Sequence, residues 1–190
     1  MNRQHRLWWQ SSYDRGLEHL LKMWPSIKEI HKDAELWITY GWDLFDKGYA
    51  DNPERMKWKE KIDKLMEQEG ITHFGRVGKE KLHELRSQCG IWAYPTHFGE
   101  TNCIGALECQ LDGVAPCVIH YAGLRETVGS GVRVEGDIYD PDTYMEYLDA
   151  LTGLMSDEKH WSEEQKKGFE WAKEFSHEKI ADKWIKEFEK

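Results

Sequence analysis

Two acids, Glu100 and Glu108, stand in the stretch of this sequence best suited to chemistry. Residues 94–113 read Tyr-Pro-Thr-His-Phe-Gly-Glu-Thr-Asn-Cys-Ile-Gly-Ala-Leu-Glu-Cys-Gln-Leu-Asp-Gly. Glu100 is expected in a turn, Thr101 or Asn102 is expected to cap the following helix, and Ile104, Leu107 and Leu111 recur at the spacing of a buried helical face. Glu108 falls on the edge of that stripe, where a carboxylate is costly unless something hydrogen-bonds to it. Free amides at a helix start receive phosphate, and carboxylates accept from hydroxyls, so the set suits a polyhydroxylated, phosphate-bearing ligand. The same residues also fit plainer uses: Glu100 as a complement to the helix dipole, and Glu108 as a solvated edge residue. Paired carboxylates flank the scissile bond in glycoside hydrolases, a geometry that this spacing allows without indicating.

The elements that must position these residues alternate along the chain. Ile91 to Tyr94 predicts a strand, which Pro95 ends because it lacks a donor and fixes φ. Earlier come a strand over 6–9, a turn to Gly16, and a helix carrying Leu17, Leu20, Leu21 and Trp24 that Pro25 is expected to kink or restart. A strand over 34–40, a polar loop from Gly41 to Asn52, a helix opened by Asn52-Pro53 and a strand over 71–74 follow. A short helix with Leu82 and Leu85 leads to the central strand. Beyond the helix that carries Glu108 lie strands over 116–120 and 132–134, separated by a loop at 122–126. Helices are then expected over 141–154, 162–175 and 176–188, each opened by Asp or Ser.

Such alternation predicts an α/β fold: a Rossmann-like, doubly wound parallel sheet of about six strands, helices on both faces, and C-terminal helices. The whole of 1–190 reads as one domain, with 156–190 as closing helices. Ligands of such sheets bind beyond the carboxyl ends of the strands, and the polar turns at 11–15, 41–43, 75–77, 96–102 and 123–126 all fall there.

Composition narrows the partners. A net charge of −9 argues against a nucleic-acid binder, and no apolar run approaches the roughly 18 residues of a membrane span. The first residues hold no long apolar segment, so no signal peptide is expected. Cys89, Cys103, Cys109 and Cys117 sit in apolar elements without Cys-x-x-Cys spacing and read as reduced, cytoplasmic thiols. Trp37, Trp92, Trp171 and Trp184 occupy apolar positions of periodic segments and read as packing residues. The chain lacks a Gly-x-Gly-x-x-Gly fingerprint, a P-loop, a Gly-x-Ser-x-Gly elbow and any close histidine pairing, which removes the commonest dinucleotide, triphosphatase, hydrolase and metalloprotease readings.

The stretch Phe98 to Glu108, followed by Asp112-Gly-Val-Ala-Pro-Cys-Val118 and Gly123-Leu-Arg-Glu126, resembles the carboxyl-terminal half of family 4 retaining glycosyltransferases of the GT-B fold. Arg15-Gly16-Leu17 resembles that family's basic-Gly segment, and 176–188 its closing helix. The resemblance implies transfer of a hexose from a UDP- or GDP-sugar without a metal. Glu100 would hold hydroxyls of the donor sugar, Glu108 those of the ribose, and Arg15 would neutralise the diphosphate. Amides near Thr101, Asn102, Cys103 and Ile104 would meet sugar and phosphate, and Arg76 with Val77 would border the base. Gln10 stands where the family often has a second basic residue, and the acceptor-binding amino-terminal half has no counterpart, so the isolated chain is expected to be inactive. The alternatives are a non-catalytic doubly wound binding or scaffold module and half of a nucleotide-sugar epimerase. A receiver domain would need acids where Gln10-Ser11-Ser12 stand.

Overall fold

Uninterrupted apolar runs fix the middle of the sheet, because a parallel strand covered by helices must be apolar on both faces. In the computed structural model, which describes residues 3–190, β1 (Arg6–Trp9) buries Leu7, Trp8 and Trp9. A 3-10 turn (Tyr13–Arg15) leads into α1 (Leu17–Ile30), which returns the chain to β2 (Glu35–Ile38). Next come α2 (Asp43–Tyr49), α3 (Pro53–Met66), the short strand β3 (Ile71–His73) and α4 (Lys79–Arg86). β4 (Ile91–Tyr94) and β5 (Ala115–Ile119) are buried throughout and enclose α5 (Ile104–Leu111) in sequence. A single-turn α6 (Leu124–Thr127) precedes β6 (Val132–Val134), and α7 (Pro141–Ser156), α8 (Glu158–Ala172) and α9 (His177–Phe188) complete the chain.

The six strands are all parallel, in the order β3-β2-β1-β4-β5-β6. Strand order therefore reverses between β1 and β4, where Trp8 pairs with Trp92. At such a switch point the loops diverge and leave a crevice. One layer is formed by α1 with α3 and α7, while α5 packs against α8.

Several local expectations change. Pro25 does not break α1; the carbonyl of Leu21, which a proline nitrogen cannot serve, instead accepts a hydrogen bond from Gln68 Nε2 at 2.9 Å. The segment expected as a loop after Gly41 contains α2, which buries no residue; its Phe45 ring packs on Trp42 and Trp58. The loop expected at 122–126 contains the single turn of α6. α8 starts at Glu158, ahead of the expected Ser162, because Asp157 caps it by accepting from the His160 amide at 2.9 Å. Trp92 is buried, but Trp171 and Trp184 are 40% and 58% exposed and so are not core. All four cysteines are buried and free.

Candidate functional site

A crevice opens at the carboxyl rim between β1 and β4, lined by Gln10, Ser11, Ser12 and Arg15 from the first loop and by Tyr94, Glu100 and residues 102–105 from the second. The two loops are pinned together at Gly16, which has φ 116° and would place a Cβ 2.4 Å from the Pro95 carbonyl oxygen. Only glycine takes that conformation at that separation.

At one end of the crevice Glu100 is held from two sides. Its Oε1 accepts from Arg15 Nη1 at 3.0 Å and from Tyr94 Oη at 2.9 Å. Tyr94 Oη lies 3.2 Å from Ser11 Oγ, and the Arg15 guanidinium sits 4.1 Å over the Phe98 ring. Burial pushes the Tyr94 phenol well above its usual range, so it stays a donor at neutral pH. The Glu100 side chain is only 10% exposed, yet it lines the crevice.

At the other end Glu108 accepts from Arg86 Nη1 at 2.9 Å. The same Nη1 reaches Gln10 Oε1 at 2.8 Å, and Arg86 Nε donates to Asp112 Oδ2 at 2.6 Å. Arg86 is 5% exposed, so this network forms the back wall. Gln10 is fixed further by Trp8 Nε1 at 2.9 Å and by its own donation to the Gly105 carbonyl at 3.3 Å. The floor includes Trp92, whose buried indole N–H has no partner.

Between the two acids lies the start of α5. Cys103 occupies the N-cap position, and no side chain caps the helix. This corrects the expected cap at Thr101 or Asn102: Asn102, Cys103 and Ile104 line the crevice, whereas Thr101 is exposed outside its lining. The expected apolar face is corrected too. Ile104 and Leu111 are 63% and 40% exposed, while Ala106, Cys109 and Gln110 are buried. Gln110 can be buried because it donates to the Ala106 and Thr127 carbonyls and accepts from the Gly129 amide. Rotating the helix this way leaves Glu108 on the crevice side.

Arg76 and Val77 line an adjoining hollow that shares Gln10, Tyr40 and Leu82 with the crevice. Tyr40 has φ 110°, a strained conformation for an aromatic residue, and such strain clusters at functional sites. The structure thus gathers Arg15, Glu100, Asn102, Cys103, Ile104 and Glu108 around one crevice, with Arg76 and Val77 next to it and Thr101 outside. Sequence reasoning missed Tyr94, Tyr40 and Arg86. Tyr94 could have been found as the last residue of a strand reaching the rim; Arg86 had no signal, being 22 residues from the acid it pairs with.

The family model for glycosyl transferases group 1 matches residues 10–171. The chain belongs to the group 1 glycosyl transferases. No curated protein matches it by sequence. Solved structures share the group 1 chain's fold at low identity. The pneumococcal O-GlcNAc transferase GtfA, in complex with UDP and GlcNAc, superposes with a TM-score of 0.76 at 14% identity, covering 99% of this chain and 36% of GtfA. Sucrose-phosphate synthase from Thermosynechococcus elongatus gives 0.76 at 18% identity, covering 100% and 46%. The C-terminal domain of the group 1 family protein LpcC from Francisella tularensis gives 0.63 at 15% identity, covering 90% of this chain and 91% of that domain. The group 1 chain therefore spans well under two thirds of the first two proteins. Among its described residues no helix is long and apolar enough to cross a membrane.

Proposed function

We propose that this chain is the donor-binding, carboxyl-terminal half of a family 4 retaining glycosyltransferase of the GT-B type, binding a UDP- or GDP-sugar and presenting a hexose for transfer in the cytoplasm. The observation that carries the reading is the convergence of Arg15, Glu100 and Glu108 with the uncapped start of α5 on one crevice at the switch point. That arrangement separates the demands of a nucleotide sugar. The amides at 103–105 and the Arg15 cation meet the diphosphate, and as the glycosyl bond breaks they stabilise the charge left on it without a metal. Glu100, oriented by Tyr94 and Arg15, accepts from sugar hydroxyls. Glu108, oriented by Arg86, accepts from the ribose, and Arg76 with Val77 borders the base.

The superposition on GtfA in complex with UDP and GlcNAc, and on an Anabaena protein in complex with UDP-glucose at a TM-score of 0.67, favours this reading over a scaffold module. An acceptor-binding half completes the enzyme, and the isolated chain transfers negligibly. Titration calorimetry with UDP, GDP and ADP tests the proposal: UDP or GDP binds with at most millimolar Kd, and Arg15→Ala weakens it. Absence of heat from both UDP and GDP at millimolar concentration overturns it, whether or not ADP binds.

A further inference from the structure

A second recess shares the 3-10 turn with the crevice but lies on its other side. Ser12 and Arg15 face the crevice, whereas Tyr13, Asp14 and Gly16 line this recess, together with Glu18, His19, Arg55, Trp58, His97 and Tyr139. Its volume is about 250 Å³, just below the roughly 300–1,000 Å³ range of small-molecule sites and enough for a single sugar ring. Across the Tyr139 and His97 rings, whose Oη and Nδ1 are 3.5 Å apart, a second hollow of about 320 Å³ continues along the rim.

The recess is polar, aromatic and charge-balanced. Asp14 is paired with Arg55 at 3.2 Å, and Glu18 with Lys22 and Lys61 at 2.6 Å each, so neither an anion nor a cation is called for. Trp58 and Tyr139 supply ring surface, and Trp58 is oriented by donating its indole N–H to Glu18 at 2.9 Å. Arg55 Nε is buried and has no hydrogen-bond partner, although the guanidinium stacks 4.4 Å from the Tyr49 ring. His19 is buried against the His97 and Tyr139 rings; desolvation, with His97 and Lys22 nearby, lowers its pKa to about 4. A neutral imidazole offers one donor and one acceptor, which is what a hydroxyl pairs with.

From the aromatic walls, the balanced carboxylates and the His19 and His97 rings that line it, we infer that this recess binds an uncharged sugar unit of the acceptor, so that the donor domain itself carries part of acceptor recognition. The inference rests on the donor reading above. Asp14 lines this recess and Arg15 lines the donor crevice, so the two hollows flank the same 3-10 turn. In the transfer, an acceptor hydroxyl oxygen bonds to the donor's anomeric carbon as that carbon's bond to the phosphate oxygen breaks. The nucleoside diphosphate leaves with the electron pair, and the hydroxyl proton passes to the departing phosphate. The second hollow accommodates a further unit of a longer acceptor.

The test is a nitrogen-15 correlation spectrum of the full chain, in which Trp58→Phe identifies the Trp58 indole signal. Methyl α-glucoside, N-acetylglucosamine and maltose are titrated to 100 mM, with inorganic phosphate as a fourth probe. At least one sugar is expected to move the Trp58 signal with saturation, and Tyr139→Ala, at a 64% exposed position, is expected to raise its Kd at least fivefold while the rest of the spectrum keeps its folded dispersion. The inference is overturned if no sugar saturates, if phosphate alone does, or if Tyr139→Ala leaves the sugar Kd unchanged. UDP and GDP are read separately at the amides of 103–105, so a chain that binds nucleotide but no sugar sinks this inference and leaves the donor reading standing.

Discussion

The two acids of the crevice are anchored in opposite ways. Glu100 is 10% exposed and held by Arg15 and Tyr94, both of which themselves line the crevice. Glu108 is 44% exposed and held by an arginine buried behind the wall, which also ties Gln10 and Asp112. Crevice-lining groups therefore orient one acid, while the fold's interior orients the other. The lesson is that removing a partner should have different consequences at the two ends: loss of recognition at Glu100, and loss of stability at Glu108's anchor.

The largest effect is expected from Arg86→Ala, which takes from Asp112, 8% exposed, its buried guanidinium partner and leaves His83 Nδ1 at 2.9 Å; breaking such a buried pair costs up to about 3–5 kcal/mol. Urea unfolding checks it, and a loss below about 1 kcal/mol would erase the contrast. Glu100→Gln keeps the shape but removes the charge, and hydrogen bonds to charged groups contribute about 1.5–3 kcal/mol. Affinity for the sugar nucleotide should then fall at least tenfold, while affinity for the bare diphosphate stays within about threefold. Equal losses for both ligands would show that Glu100 does not read the sugar.

A pH series separates the acids from the far side of the 3-10 turn. His19 has a folded-state pKa lowered to about 4, so the unfolded chain binds more protons between the ordinary histidine value near 6.5 and that point. Its contribution is fully present above pH 6.5 and is lost as pH falls towards 4, by about 3 kcal/mol. His19→Gln should flatten that part of the urea midpoint profile; an unchanged slope would remove His19 as its source. The smallest effect is expected from Glu108→Ala: about a tenfold loss for diphosphate and sugar nucleotide alike, with stability within about 1 kcal/mol because the side chain is half exposed. A selective loss for the sugar nucleotide would exchange the roles of the two ends.

Much of this arrangement could be read from residue order. The alternation of strands and helices, the Pro95 stop and the polar turns at strand ends need only local chemistry, and the rim follows from them. Features that depend on partners distant in sequence could not be read. Pro25 looked like a break because Gln68, which serves the exposed carbonyl, lies a whole unit later. The face of α5 was misjudged because Gln110 is buried through three satisfied hydrogen bonds, whereas the more hydrophobic Ile104 stays out. α2 escaped notice because it buries nothing of its own and leans on rings from Trp42 and Trp58.

The contact between Gly16 and Pro95 has a mechanical meaning. With backbone meeting backbone there, the head of α1 and the segment leading to Glu100 cannot slide past each other. Any side chain introduced at position 16 must therefore wedge the two lips apart before it fits, so the width of the cleft is set by the absence of a single carbon atom.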